Sequence, residues 1–195
     1  MTSFNSSRVK VGVGTLYAAP LASTEPTSVT AAWPSAWQAL GYTDVGSTFD
    51  ITPDVVDVLV EEEYWPVASN VQGYKGTVKF NLAEVTASNL VIALNGGLTP
   101  SAAVQGTNTD GSIWVEPPDV GLEVKIMLGW DALPKGGVAG DAFGRYIFRQ
   151  CLQSGAVSET HRKGNNKLMY ACSFMLLKPP TQEPFRAILP AILAS

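Results

Sequence analysis

A chain of 195 residues is long enough to bury a core without disulfide staples, and it sets a single domain, residues 1–195, as the default. Its hydrophobic content of 46% is ordinary, but only 15% of residues are charged against a typical ~25%, which points to a surface partly hidden in an assembly. The net charge of −4 hides a polarity that argues against a general nucleic-acid binder and favours association between copies: residues 11–74 hold eight acids and no Lys, Arg or His, whereas residues 145–186 hold seven Lys and Arg against two acids.

In chain order, Gly12-Val13-Gly14 lacks the third glycine and the Lys-Ser/Thr of a phosphate loop, so it reads as strand or turn backbone. Residues 22–35, rich in Thr, Ser, Ala and Pro, read as an extended loop or arm. Asp44 to Gly73 is a second segment outside the core. Its centre, Val55 to Trp65, has strand periodicity, with Val55, Asp57, Leu59, Glu61, Glu63 and Trp65 on one face and Val56, Val58, Val60, Glu62 and Tyr64 on the other. Such a ribbon suits either a hairpin against a neighbour or an edge strand whose charges block pairing. Val78, Phe80 and Leu82 alternate with polar residues as a half-buried strand.

Ala87, Leu90, Val91 and Leu94 recur with helical spacing, Thr86 or Ser88 is placed to cap the start, and Asn95-Gly96-Gly97 supplies the stop. Leu122, Val124, Ile126, Leu128 and Trp130 alternate with Glu123, Lys125, Met127, Gly129 and Asp131, predicting a strand with one wet face. Further strands are predicted from Arg145 to Leu152, with Arg145 and Arg149 on one parity, from Gly155 to His161, and from Leu168 to Leu177. A turn over residues 162–167 joins the last two, so the final third reads as an antiparallel meander. One helix among many strands predicts a mainly β fold, an antiparallel β-sandwich or barrel with a flanking α-helix.

Chemistry is sparse. His161 is the single histidine, no Gly-x-Ser-x-Gly elbow is present, and no His/Cys cluster has zinc spacing. Glu61-Glu62-Glu63 could seed a cation site only across a bulge, since neighbouring strand residues face opposite ways. Asp54 and Asp57 with Glu61 could form an acid/base pair only in a cleft with sugar-stacking aromatics. Trp33, Trp37, Trp65, Trp114 and Trp130 are scattered as packing residues would be. Cys151 and Cys172 fall in apolar strands and read as buried free thiols. No catalytic, cofactor or metal residue is assigned. The N-terminus has no signal-peptide pattern and no apolar run approaches ~20 residues, so synthesis in a cytosol and no membrane partner are expected.

Several segments together resemble a known family. Val11-Gly12-Val13-Gly14-Thr15-Leu16-Tyr17-Ala18-Ala19-Pro20-Leu21, a Thr/Pro spacer and then Trp37-Gln38-Ala39-Leu40-Gly41-Tyr42 resemble the start of major tail tube proteins of long, non-contractile-tailed bacteriophages. Thr77 to Glu84 resembles that family's strand-to-helix step, and Arg162-Lys163, the strand through Tyr170 and Phe174, and Glu183-Pro184-Phe185-Arg186 fit its end. Asp44-Val45-Gly46-Ser47-Thr48 departs from the pattern, which has an acidic residue directly before the glycine. The resemblance implies a β-sandwich with one flanking helix, similar also to the tube protein of type VI secretion systems. It implies hexameric rings stacked head to tail into the tail of a virion, through which DNA passes without specific binding. It also implies tape measure, tail terminator and tail-tip proteins as partners, with assembly in the host cytoplasm. By position, 44–73 would be an inter-ring hairpin loop, and 1–10 and 183–195 terminal arms.

Heterologous stacking needs two complementary faces on one chain. Asp44, Asp50, Asp54, Asp57, Glu61, Glu62 and Glu63 are candidates for one face or for the tube lumen, and Arg145, Arg149, Arg162, Lys163 and Lys167 for a complementary basic surface. Two alternatives stand: another β-protein of the virion (decoration or baseplate), and a carbohydrate-binding or carbohydrate-active β-sandwich, which needs a pocket holding a Trp beside carboxylates.

Overall fold

The computed structural model of the chain describes residues 12–99, 101–102, 104–134, 144–158 and 168–190. In order the elements are β1 (Gly12–Pro20), β2 (Gln38–Ala39), β3 (Thr43–Val58), β4 (Ala68–Leu82), α1 (Ala87–Ala93), β5 (Gln105–Thr107), β6 (Ile113–Val115), β7 (Ile126–Pro134), β8 (Gly144–Gln153), β9 (Tyr170–Leu176) and β10 (Phe185–Ile188). The fold is mainly β with one flanking helix, as the strand periodicity predicts.

One antiparallel sheet runs β2-β1-β7-β8-β9-β4-β3, while β5 and β6 form a separate pair. Strand β8 is the fork: beyond its edge to β7, Arg145–Phe148 pair with β10 and Cys151–Gln153 with β9. The sheet therefore splits and folds over itself. Leu16 and Ala18 of β1 share a buried cluster with Val78, Phe80 and Leu82 of β4, with three strands between them in the hydrogen-bonding order. Phe49 of β3 packs edge-on against Phe148 and Phe185, with centroids 4.8 and 5.1 Å apart, and Phe80 stacks on Phe174 at 5.6 Å. These contacts join two leaves face to face, the geometry of a β-sandwich.

The helix closes one end of this core. Thr86 caps it, its hydroxyl accepting from the Asn89 N–H at 3.2 Å, and Val91, Ile92 and Ala93 are buried. The chain stops at Asn95, whose φ of 61° is left-handed, and the Asn95 side chain then ties the helix end to Gln153 through bonds of 3.0 and 2.7 Å. Cys151 and Cys172 are buried free thiols; desolvation raises both, the Cys172 thiol being pushed up to about 12.

The structure differs from the sequence reading in three places. The strand expected from Leu122 begins only at Ile126, because the Val124 N–H donates to the helix-end carbonyl of Asn95 rather than to a strand. Its expected wet face is covered: Met127 and Asp131 are buried like Leu128. Finally, Gly155–Ser158 form no strand, and residues 159–167, with His161 and the turn 162–167, lie outside the described residues.

The cover on that second face is the segment expected to be a loop or arm. Residues 22–37 lie across the outer face of β1, β7 and β8, forming a second apolar cluster of Ala19, Trp37, Met127 and Ile147 with Tyr17 and Trp33 packed on it. Trp33 stacks on Tyr17 at 4.5 Å and sits directly over Gly129, where an added Cβ would come within 2.3 Å of the indole. Glycine at 129 is thus what lets the strap approach the sheet.

Candidate assembly surface

Strands β3 and β4 form a hairpin far longer than the body needs. Its base is core: Phe49 pairs with Val78 and both face inward. From Ile51 to Gln72 every residue is exposed. Alternation carries the inward face outward as Phe49, Ile51, Pro53, Val55 and Asp57, opposite Val78, Gly76, Tyr74, Val71 and Ser69. An extra residue on β4 between the Asp54–Gly73 and Val55–Val71 pairs adds a bulge at Gln72. Apart from Asp57, whose carboxylate accepts from Ser69 Oγ at 2.6 Å, this face is apolar. The core surface therefore continues into solvent as an uncovered stripe, with Ile51, Val55, Val71 and Tyr74 all exposed.

The opposite face is polar and internally neutralised over Asp50–Asp54, and apolar again at the exposed Val56 and Val58. Lys79 lies 3.6 Å from Asp50 and Lys75 3.8 Å from Asp54. Both lysines follow the basic-free stretch by only a few residues, and the returning strand brings them back beside its acids. Such exposed pairs contribute about 0–1 kcal/mol each, so they set charge rather than stability. Asp44 sits at the hairpin base, opposite Asn81. Between it and Thr48, three residues oppose the single Phe80, a bulge in which Gly46 takes a φ of 71°. The Asp44–Thr48 departure from the family pattern thus coincides with a register irregularity.

The proposed grouping of Asp57, Glu61 and Glu63 on one strand face is corrected. Strand β3 ends at Val58, and the Val67 N–H closes onto the Val58 carbonyl at 3.0 Å, so residues 59–67 are the turn. Glu61, Glu62 and Glu63 stand at the tip and make no ion pair among the described residues. Beside them Tyr64 and Trp65 are 101% and 81% exposed, so Trp65 is no core tryptophan. Asp54 and Asp57, three positions apart on one strand, face opposite ways and cannot act as a carboxylate pair.

The basic candidates divide. Arg145 is not part of an exposed surface: its side chain is 1% accessible. It makes a two-pronged bond to its cross-strand partner Asp131, at 2.6 and 2.8 Å, and donates to the Ser28 and Ala31 carbonyls at 2.9 and 2.7 Å. Trp33 completes the cage, lying 4.5 Å from the guanidinium carbon and donating its indole N–H to Asp131 at 2.7 Å. The residue pins the strap to the sheet.

Arg149, 13% exposed, clamps the start of the same strap through Glu25 at 2.5 and 3.0 Å and also donates to the Glu183 carbonyl. That hydrogen bond is the main reason the Glu25 carboxyl sits below its ordinary range, with burial opposing. Arg162, Lys163 and Lys167 lie outside the described residues. So do residues 1–10, whereas Phe185–Ile188, expected in a terminal arm, pair with β8 of the same chain.

A cleft of about 820 Å³ between β1 and the base of β3 is lined by Trp130 and Glu84, the pairing a sugar site would need. Trp130 lies over Gly14 and is tilted against Tyr146, and Glu84 is occupied by the Tyr42 N–H at 2.9 Å. Glu84 is the single carboxylate on the lining, so the two-carboxylate arrangement of glycoside hydrolysis is missing there. Among the described residues no group of three or more His, Cys, Asp or Glu is arranged to hold a metal ion.

A family model described as phage tail tube protein matches residues 1–124. Among solved structures, the chain is similar to a chain in the cryo-EM structure of the anti-feeding prophage (AFP) baseplate, 6-fold symmetrised. That chain is 7% identical, the alignment covers 96% of this chain and 97% of that one, and the TM-score is 0.49. No curated protein matches the sequence.

Proposed function

Since the chain belongs to the phage tail tube protein family, a family of structural proteins of the virion tail, we propose that it self-assembles into hexameric rings stacked head to tail, forming the tube that conducts phage DNA. The observation that carries the reading is the β3–β4 hairpin. Its apolar face continues the core surface beyond the body with nothing over it, an arrangement expected of a chain that finishes burying itself in a neighbour. The hairpin and the body are different surfaces, so contact between them is heterologous, the kind that joins copies into rings or stacks them into filaments.

The tip acids and the internally neutralised hairpin stem suit a tube wall or stacking face that does not hold phosphates. Tape measure, tail terminator and tail-tip proteins are the partners such a tube requires. Gold-labelled antibody against the chain, applied to intact phage particles, is expected to decorate the tail shaft. Label confined to the head or to the tail tip would sink the reading and favour a decoration or baseplate role.

A further inference from the structure

The outer face of the body carries a groove of about 510 Å³ where the turn after β1 meets the linker between β9 and β10. Leu21, Met127, Pro179 and Pro180 line it, together with Arg149 and the Glu25 that neutralises it. Lys178 and Arg186 stand nearby, 65% and 50% exposed in their side chains, each paired to a single acid, Glu183 and Glu25 respectively. The remaining described bases outside the hairpin are Lys125, which follows Asp119 and Glu123 in an acidic loop, and Arg145, which is buried. The groove is therefore the described part of the body where exposed cations and an apolar concavity coincide.

The hairpin tip is its chemical complement. It presents three glutamates that make no ion pair among the described residues, followed by Tyr64 and Trp65, aromatics in open solvent on the same turn. Aromatic side chains of this kind act as anchors when an apolar pocket accepts them, and proline and methionine surfaces are good partners for an indole. We propose that this groove is the receptor for the hairpin tip of a second copy of the chain: Trp65 enters between Met127 and the Pro179-Pro180 turn, and Glu61 to Glu63 face the exposed Lys178 and Arg186. The proposal rests on the reading of the hairpin as a contact between copies and assigns its other half. Tip and groove lie on separate surfaces, so each copy offers one of each, and the contact repeats head to tail.

Cysteine crosslinking tests it. Glu62→Cys and Thr181→Cys are exposed substitutions, and the native Cys151 and Cys172 are buried. A chain carrying both changes, oxidised in tails assembled during infection and as concentrated purified protein, is expected to give a ladder of chain multiples. A mixture of the two single variants is expected to stop at dimers. Lys178→Glu lowers the crosslinking rate roughly tenfold through lost charge complementarity, and adding Glu61→Lys with Glu63→Lys restores it.

A ladder that appears instead when Glu62→Cys is combined with Val120→Cys, an exposed site elsewhere, would overturn the groove assignment. So would crosslinking of the tip to a different tail protein, or no ladder in either preparation. Failure of the hairpin reading itself is distinguishable: it would show as normal tails from a chain whose residues 60–66 are replaced by Asn-Gly.

Discussion

Arg145 is the residue whose environment most repays attention, because four separate groups depend on it. Its bonds to Asp131 and to the Ser28 and Ala31 carbonyls, with the Trp33 ring above, satisfy a charge that is otherwise fully buried. Truncation would take the guanidinium partner from the buried Asp131 side chain and leave two carbonyls unpaired. Arg145→Ala is therefore expected to cost about 3–5 kcal/mol, read as a fall in the denaturant midpoint of the purified chain. Glu25 gives a second prediction at this scale. Arg149 holds its carboxyl below the ordinary value of 4.5 in the folded chain, so folding favours the ionised form. That contribution is complete above about pH 4.5 and fades as pH falls through the lowered folded value. Glu25→Gln is expected to lower stability near neutral pH and to flatten its decline in acid, measured as unfolding midpoints across a pH series.

At the scale of elements, the hairpin and the strap contrast. Both are long excursions from the sheet with little helical character, and both looked like arms in the sequence. The strap, residues 22–37, is held by Trp33, Trp37, Arg145 and Arg149 and buries an apolar cluster, whereas the outer half of the hairpin is exposed and joins no core cluster among the described residues. Backbone protection should follow packing rather than strand content. Hydrogen exchange of the monomer is expected to be fast at Val55–Val58 and Ala68–Val71 and slow at Val78–Leu82, although all of these belong to the same two strands. Equal protection along the whole hairpin would mean that its outer half is covered. In the assembled state, protection of the outer half is expected to rise.

For the whole molecule, the charge polarity visible in the composition takes a different form once the chain is folded. Part of the acidic stretch is neutralised by Lys75 and Lys79, and two of its supposed basic counterparts, Arg145 and Arg149, are spent inside the fold on Asp131 and Glu25. What remains at the surface is concentrated at the hairpin tip. Replacing Glu61, Glu62 and Glu63 together by Lys is expected to leave the circular dichroism and unfolding midpoint of the monomer within about 0.5 kcal/mol of the parent, since the three side chains are exposed and make no ion pair among the described residues. It is expected to reduce tail yield severely when supplied in trans. Unchanged tail length and yield would remove the tip from the assembly contact.

The sequence by itself determined the mainly β class, the helix from its apolar spacing and Asn95-Gly96-Gly97 stop, the buried strand Val78–Leu82 and the buried thiols. These follow from local periodicity and turn chemistry, which act within a few residues. Tertiary structure alone decided which charges are available for contact, because strand register brings residues far apart in sequence to within bonding distance. Asp131 meets Arg145 on the adjacent strand, and Glu25 meets Arg149 across 124 positions. It also decided that residues 22–37 cover the sheet, since a strap of Thr, Ser, Pro and Trp becomes a core layer only when Gly129 lets an indole lie flat on the strand beneath it.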